Sequence, residues 1–192
     1  MAIKSYTMRH TLFAIFLASP IVLYAQSSVQ TATREQMDSL MCPVGYAAVG
    51  KAYPEFKINN EKGTVDNQTI SGKVVLINFW FEGCHPCMAE MEALNNIFKK
   101  MESNKDFVFI SLTYDNQETI KRVKKKYDLK FEVFPISNKE CERLNFSCGF
   151  PTSIILDKSG MIKYRHSGGS IKVEVASEFI EKTLLPEIQS LF

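Results

Sequence analysis

The chain has 192 residues, 45% of them hydrophobic, with 23 basic residues against 21 acidic. That length holds one ordinary domain with a real apolar core and leaves too little for a second. A formal net charge of +2 excludes a partner held by bulk electrostatics, nucleic acid above all.

Residues 1–25 carry Lys4 and Arg9, then an uncharged apolar run from Thr11 to Tyr24, then Ala25 before polar Gln26 and Ser27. This is the pattern of a secretory signal peptide cut near Ala25, and its loss leaves 21 basic residues against 21 acidic. The competing reading is a retained membrane tether, but the run falls short of the roughly 20 residues a bilayer span needs. Pro20 interrupts it as well.

Residues 26–50 are polar, with one short helical pattern from Arg34 to Met41, and read as an N-terminal arm or tether. The remaining span, 51–192, is the folded domain. Phe56 and Ile58 alternate with polar residues, Asn59 to Gly63 supply a turn, and Thr64 with Val65 resume, which predicts an opening hairpin. Val74 to Trp80 is a nearly continuous apolar run, the signature of a strand buried on both faces.

After Cys84-His85-Pro86-Cys87, the residues Met91, Leu94, Ile97, Phe98 and Met101 fall on one helical face and read as core packing. Phe107 to Leu112 predicts a second strand. Asp115 to Glu118 has the spacing of a capping box opening a helix to about Tyr127. Its basic run, Lys121 to Lys126, reads as a solvated helix face. Further expected elements are a strand at Phe131 to Ile136, a helix at Lys139 to Leu144, a strand at Ser153 to Leu156 and a turn at Asp157 to Gly160. A strand at Met161 to Arg165 and a closing helix at Val173 to Leu185, bounded or kinked by Pro186, complete the chain. Strands alternating with helices predict an α/β domain with a central parallel core.

The chemistry lies in Cys84 and Cys87. A buried strand giving way to a helix puts Cys84 at the helix N-terminus, where unpaired N–H groups and the helix dipole favour a thiolate. Pro86 suits the first turn because it has no N–H to leave unpaired, and His85 adds positive charge beside the sulfur when protonated. A lone C-x-x-C is also half of a zinc site, but no second pair follows at finger spacing, so no metal and no organic cofactor are expected. Gly149-Phe150-Pro151-Thr152, directly before a strand, is a setting in which a cis proline is common.

With these residues in view, the span 52–185 resembles the extracytoplasmic thioredoxin-like reductases of the TlpA/ResA type, within the thioredoxin and AhpC/TSA-like superfamily. The marks are Gly72 to Trp80, the Cys84–Cys87 motif, Glu90, Phe150-Pro151-Thr152 and Ile154 to Gly160. The resemblance implies a thioredoxin fold, a central mixed β-sheet flanked by helices with an N-terminal hairpin extension. It also implies Cys84 as nucleophile, Cys87 as resolving thiol, and Glu90 as a carboxylate that shuttles the proton of Cys87. A solvated helix glutamate is the competing reading of Glu90. Substrate contact falls to Trp80, Phe150, cis Pro151 and Thr152, with the Phe150 backbone pairing an extended client segment.

Three departures from the pattern stand out: Gly83 in place of a bulky aromatic, Glu92 in place of a helix proline, and Phe81-Glu82 in place of a small pair. The missing aromatic predicts a more exposed disulfide.

Five cysteines give at least one thiol without an intramolecular partner. Cys141 and Cys148 can bridge only if the helix between them ends near Leu144, with buried free thiols as the alternative. Cys42, in the arm, is expected to be free or intermolecular. The implied activity is reduction of disulfides in exported, periplasmic proteins, cytochrome c maturation included, with a membrane electron donor restoring the dithiol. A disulfide oxidase or isomerase, a thiol peroxidase and a binding domain with a static disulfide are the rivals.

Overall fold

The computed structural model describes Cys42 and residues 48–192. The proposed signal segment and nearly all of the arm lie outside the described residues. Among those described, no helix is long and apolar enough to cross a membrane.

The hairpin pairs β1 (Lys57–Asn60) with β2 (Gly63–Asp66), antiparallel. The main sheet is built on β3 (Val74–Trp80), whose seven residues are all buried because it has a strand on each side and a packed layer on each face. Helix α1 (His85–Met101) follows, then β4 (Phe107–Thr113), α2 (Gln117–Tyr127), β5 (Val133–Pro135), α3 (Asn138–Leu144), β6 (Thr152–Leu156) and β7 (Ile162–Ser167). The strand order is β5-β4-β3-β6-β7, parallel from β5 through β3 and antiparallel across β6 and β7. The predicted thioredoxin fold, a mixed sheet between helices with an N-terminal hairpin, is the fold observed.

Side-chain alternation along β3 divides the core. Val74, Leu76 and Trp80 pack with Met91, Leu94 and Ile97 of α1, and Val75, Ile77 and Phe79 pack with Tyr53, Phe56 and Leu144 on the other side. Each such large apolar side chain taken out of water contributes about 1.5–3 kcal/mol. On α1, Asn95 is buried too, and it donates to the Asp128 carbonyl (3.0 Å) and accepts from the Lys130 N–H (2.8 Å), clamping the turn after α2.

The cap of α2 is shifted by one residue from the expected box. Asn116 caps, its side chain accepting from the Thr119 N–H (2.9 Å), because Asp115 is engaged with the Glu82 N–H (2.7 Å). Ile120 and Val123 are buried while Lys121, Arg122, Lys125 and Lys126 face water, as a solvated helix face requires. The closing helix begins as α4 (Val173–Phe179), widens to a π-helical turn (Ile180–Leu184) and resumes as α5 (Leu185–Gln189) with Pro186 in its first turn. A proline inside a helix removes one N–H and crowds the preceding turn, and a widened turn accommodates it without ending the helix.

The cysteine pairing corrects the sequence reading. Cys42 is bonded to Cys148, 106 positions away, and Cys141 is the free thiol. Helix α3 does end at Leu144, but Phe146 and Ser147 then take left-handed backbone conformations before Cys148. Cys141 stays in the apolar cluster behind the sheet, where burial pushes its thiol up to about 12. Non-reducing peptide mapping is expected to give Cys42–Cys148 and Cys84–Cys87, with Cys141 alkylated only after unfolding. Paired Cys42→Ser and Cys148→Ser substitution should lower urea stability by about 2–4 kcal/mol, and a recovered Cys141–Cys148 peptide would contradict the pairing.

Candidate active site

Strand β3 ends at Trp80, and the chain turns through Phe81, Glu82 and Gly83 into α1 with Cys84 as its N-cap. The Cys84 N–H donates to the Phe81 carbonyl (3.0 Å), closing that turn. The Cys87 N–H donates to Cys84 Sγ (3.2 Å), so one otherwise unpaired helix donor points at the sulfur. Cys84 and Cys87 are bonded to each other, with Cα atoms 5.2 Å apart. Pro86 occupies the first turn, and His85 is exposed beside the pair.

The loop before Cys84 is held from outside its own segment. Asp115 accepts from the Glu82 N–H, and Arg122 of α2 forms a two-pronged pair with the Glu82 carboxylate (2.8 and 2.5 Å). That pair holds the Glu82 carboxyl below its ordinary range, chiefly through the Arg122 hydrogen bond. An exposed pair adds little stability, so its effect here is to fix the loop's orientation.

The Phe150–Pro151 peptide is cis, as the sequence pattern suggests, and the Pro151 ring lies with Pro86 of the cysteine motif against Gly169. Thr152 is fully buried. Its hydroxyl donates to the Gly149 carbonyl (2.8 Å) and lies 3.0 Å from Ser167 Oγ, which also accepts from Arg165 Nη1 (2.9 Å). The Gly168 N–H donates to the Pro151 carbonyl (2.9 Å). The Thr152 side chain therefore shapes the loop and presents nothing to a client. Trp80 is likewise corrected: it is 0% exposed and its indole N–H donates to Ser111 Oγ (2.7 Å) inside the core. It shares the inward face of β3 with Leu76, out of a substrate's reach.

The expectation of an exposed disulfide is corrected as well. Cys84 is 6% exposed and Cys87 1%. The Phe81 ring folds back over Gly83, so that a Cβ placed there would lie 3.0 Å from the ring edge. Phe81 stacks on Tyr114 (ring centroids 5.2 Å), and both meet Phe150 edge-on (5.2 and 5.5 Å). The aromatic missing immediately before Cys84 is thus supplied from two residues upstream of Gly83. Tyr114 carries no local signal, because only the register of β4 beside β3 brings it here.

Glu90, one helical turn beyond Cys87 on α1, is 2% exposed, which settles it as a buried carboxyl rather than a solvated one. Burial alone pushes it up to about 8. Such a group is largely uncharged at neutral pH yet close enough to its midpoint to accept a proton. The whole arrangement combines a cysteine pair at a helix N-terminus, a buried carboxyl one turn further along the same helix, and a cis-proline loop.

The Redoxin family model matches residues 48–180. A thiol-disulfide oxidoreductase ResA of Bacillus thuringiensis subsp. konkukian is 31% identical over 136 residues, covering 70% of this chain and 78% of the relative. The thioredoxin-like protein YneN of Bacillus subtilis is 30% identical over 129 residues, covering 66% of this chain and 75% of the relative. The solved structure of a thiol-disulfide oxidoreductase from Bacteroides fragilis superposes with a TM-score of 0.55 at 25% identity, covering 63% of this chain and 93% of that one.

A carboxyl at about 8 in the folded chain and at its ordinary 4.5 in the unfolded one makes stability pH-dependent. Between those values the folded chain keeps a proton that the unfolded chain has released, so stability falls as pH rises through the window and levels off above it. Glu90→Gln, neutral throughout, is expected to flatten that slope and to be more stable than the parent above about pH 8. Urea titrations at intervals across the window measure it, and parallel curves for the two proteins would refute the assignment.

Proposed function

The chain belongs to the Redoxin family and is a thioredoxin-like thiol-disulfide oxidoreductase of the ResA type, and on that premise we propose that it works as a reductant of disulfides in exported proteins. The observation that carries the proposal is the Cys84–Cys87 disulfide at the mouth of α1, one turn from a buried carboxyl and beside the cis Pro151 loop.

In this mechanism the dithiol form begins with Cys84 as thiolate, favoured by the helix N-terminus and the Cys87 N–H. Cys84 attacks one sulfur of the client disulfide. The S–S bond breaks, the other client sulfur leaves as thiolate, and a mixed disulfide forms. Glu90 takes the proton of Cys87, whose sulfur then attacks Cys84 and expels the second client sulfur. The client gains two electrons and ends as two thiols, one protonated by the Cys87 proton through Glu90 and the other by solvent, and Cys84 and Cys87 end oxidised. A membrane electron donor returns the two electrons. The exposed edge of Phe150 and the backbone of its loop receive the client segment, and His85 tunes the thiolate.

A carboxyl beside Cys87 fits the reducing cycle, in which deprotonating Cys87 releases reduced product; the reverse exchange uses the same group as an acid, so the reduction potential sets the direction. The signal-like residues 1–25 and the second disulfide, Cys42–Cys148, support export to a periplasmic compartment where disulfides persist. Clients there include c-type apocytochromes, whose C-x-x-C-H cysteines need to be dithiol for haem attachment.

Equilibration with defined thiol buffers is expected to give a potential close to that of thioredoxin, about −270 mV, whereas one near −120 mV would identify an oxidase. Cys84→Ser should abolish insulin reduction. Cys87→Ser should accumulate mixed disulfides with clients in the native envelope, and recovery of peroxide turnover instead of captured proteins would redirect the assignment to a peroxidase.

A further inference from the structure

Gly169 lies in the loop between β7 and α4, exposed to solvent, yet its missing Cβ would point inward. An ideal Cβ there would sit 2.8 Å from Glu90 Oε1, 3.1 Å from Pro151 Cγ and 3.4 Å from Pro86 Cβ. The three neighbours come from the helix that carries the sulfurs and from the cis-proline loop. Two are rigid rings, so the carboxyl is the one that must yield. The adjacent Gly168 is a glycine for another reason, since its φ of +80° makes the turn and its N–H holds the Pro151 carbonyl. Gly169 has no left-handed backbone to justify a glycine, and space is its only requirement.

We propose that Gly169 is a positioning residue for the thiol-disulfide reaction: by lacking a side chain it lets the β7–α4 loop close over Glu90 and sets where that carboxyl lies against Pro86, Pro151 and the sulfur pair. The proposal rests on the reading of Glu90 as proton carrier and names the residue that places it.

Charged or titratable groups stand on each surrounding element. On α1 they are exposed His85 and Glu92, on α4 exposed Glu174 and Glu178, the latter paired with Lys182 (2.8 Å), and on β7 buried Arg165, which donates to Ser167. The Gly149–Thr152 loop has none. Beyond it stand His166, whose ring packs on Phe179 (4.2 Å), and exposed Lys172. None of them shifts Glu90, whose midpoint is set by burial, so moving the carboxyl changes its proton affinity directly. In the reduced protein the thiols of Cys84 and Cys87 join this set.

The test is a carbon-13 NMR titration of the Glu90 carboxyl in the oxidised protein, where Cys84 and Cys87 do not titrate. Gly169→Ala is expected to move the midpoint from about 8 by roughly one unit, a tenfold change in proton affinity, and to move the pH profile of disulfide reduction with it. At pH 7 it should slow reduction about tenfold or more whichever way the midpoint moves, because the displaced carboxyl no longer meets the Cys87 proton. In a Glu90→Ala background, where the slot is empty, the same Gly169→Ala change should cost nothing further. An unmoved midpoint, or an equal loss of rate in that background, would overturn the proposal, the latter by showing that Gly169 acts on the client. A midpoint that moves in Gly169→Ala while Glu90→Gln leaves the activity profile intact would uphold the positioning and refute the proton-carrier reading alone.

Discussion

The junction between β3 and α1 puts two opposed electrostatic demands within one helical turn. At the helix mouth, the Cys87 N–H and the aligned peptide dipoles favour negative charge on the Cys84 sulfur. One turn further in, the Glu90 carboxyl is denied water and resists becoming negative until the pH approaches 8. In the proposed mechanism the first stabilises the attacking sulfur, and the second holds beside the resolving one a carboxyl near its midpoint, whose carboxylate form takes the proton. Both follow from packing α1 against a strand that is buried along its whole length.

The rest of the edge exists to keep that junction in register with the loop opposite. Asp115 and Arg122 hold the approach to Cys84 from the β4–α2 side. Thr152, Ser167 and the Gly168 N–H hold the cis-proline loop from the β6–β7 side. Cys148, two positions before Phe150, ties the same loop to Cys42 of the arm. Loop and helix are therefore each anchored on distant parts of the chain. This is how a site made of short segments keeps its geometry while its own covalent bond is made and broken.

What is legible in the sequence is whatever is local. The Val74–Trp80 run, the C-x-x-C at a strand-to-helix boundary and the proline before β6 are contiguous, and each carries its own physical signature. Resemblance alone places Trp80 at the substrate surface, although the alternation Leu76, Asn78, Trp80 already puts it on a core-facing side. Cys42–Cys148 and the Tyr114–Phe81–Phe150 cluster are out of reach, since they depend on residues that only the finished topology brings together. The capping residue stands one position later than its local spacing suggests because a tertiary contact claims Asp115. Gly169 gives no signal at all, as a glycine needed for space looks like any other turn glycine.

The proposed turnover rests on an ordered pair of sulfurs, the first attacking and the second releasing, with the proton of the second leaving through Glu90. Acid-quenched single-turnover mixing of the reduced protein with a disulfide peptide, followed by mass mapping, tests that order directly. One transient adduct is expected, on Cys84, decaying to the Cys84–Cys87 disulfide faster as the pH rises and the carboxylate forms. An adduct on Cys87, or a decay indifferent to pH, would contradict it.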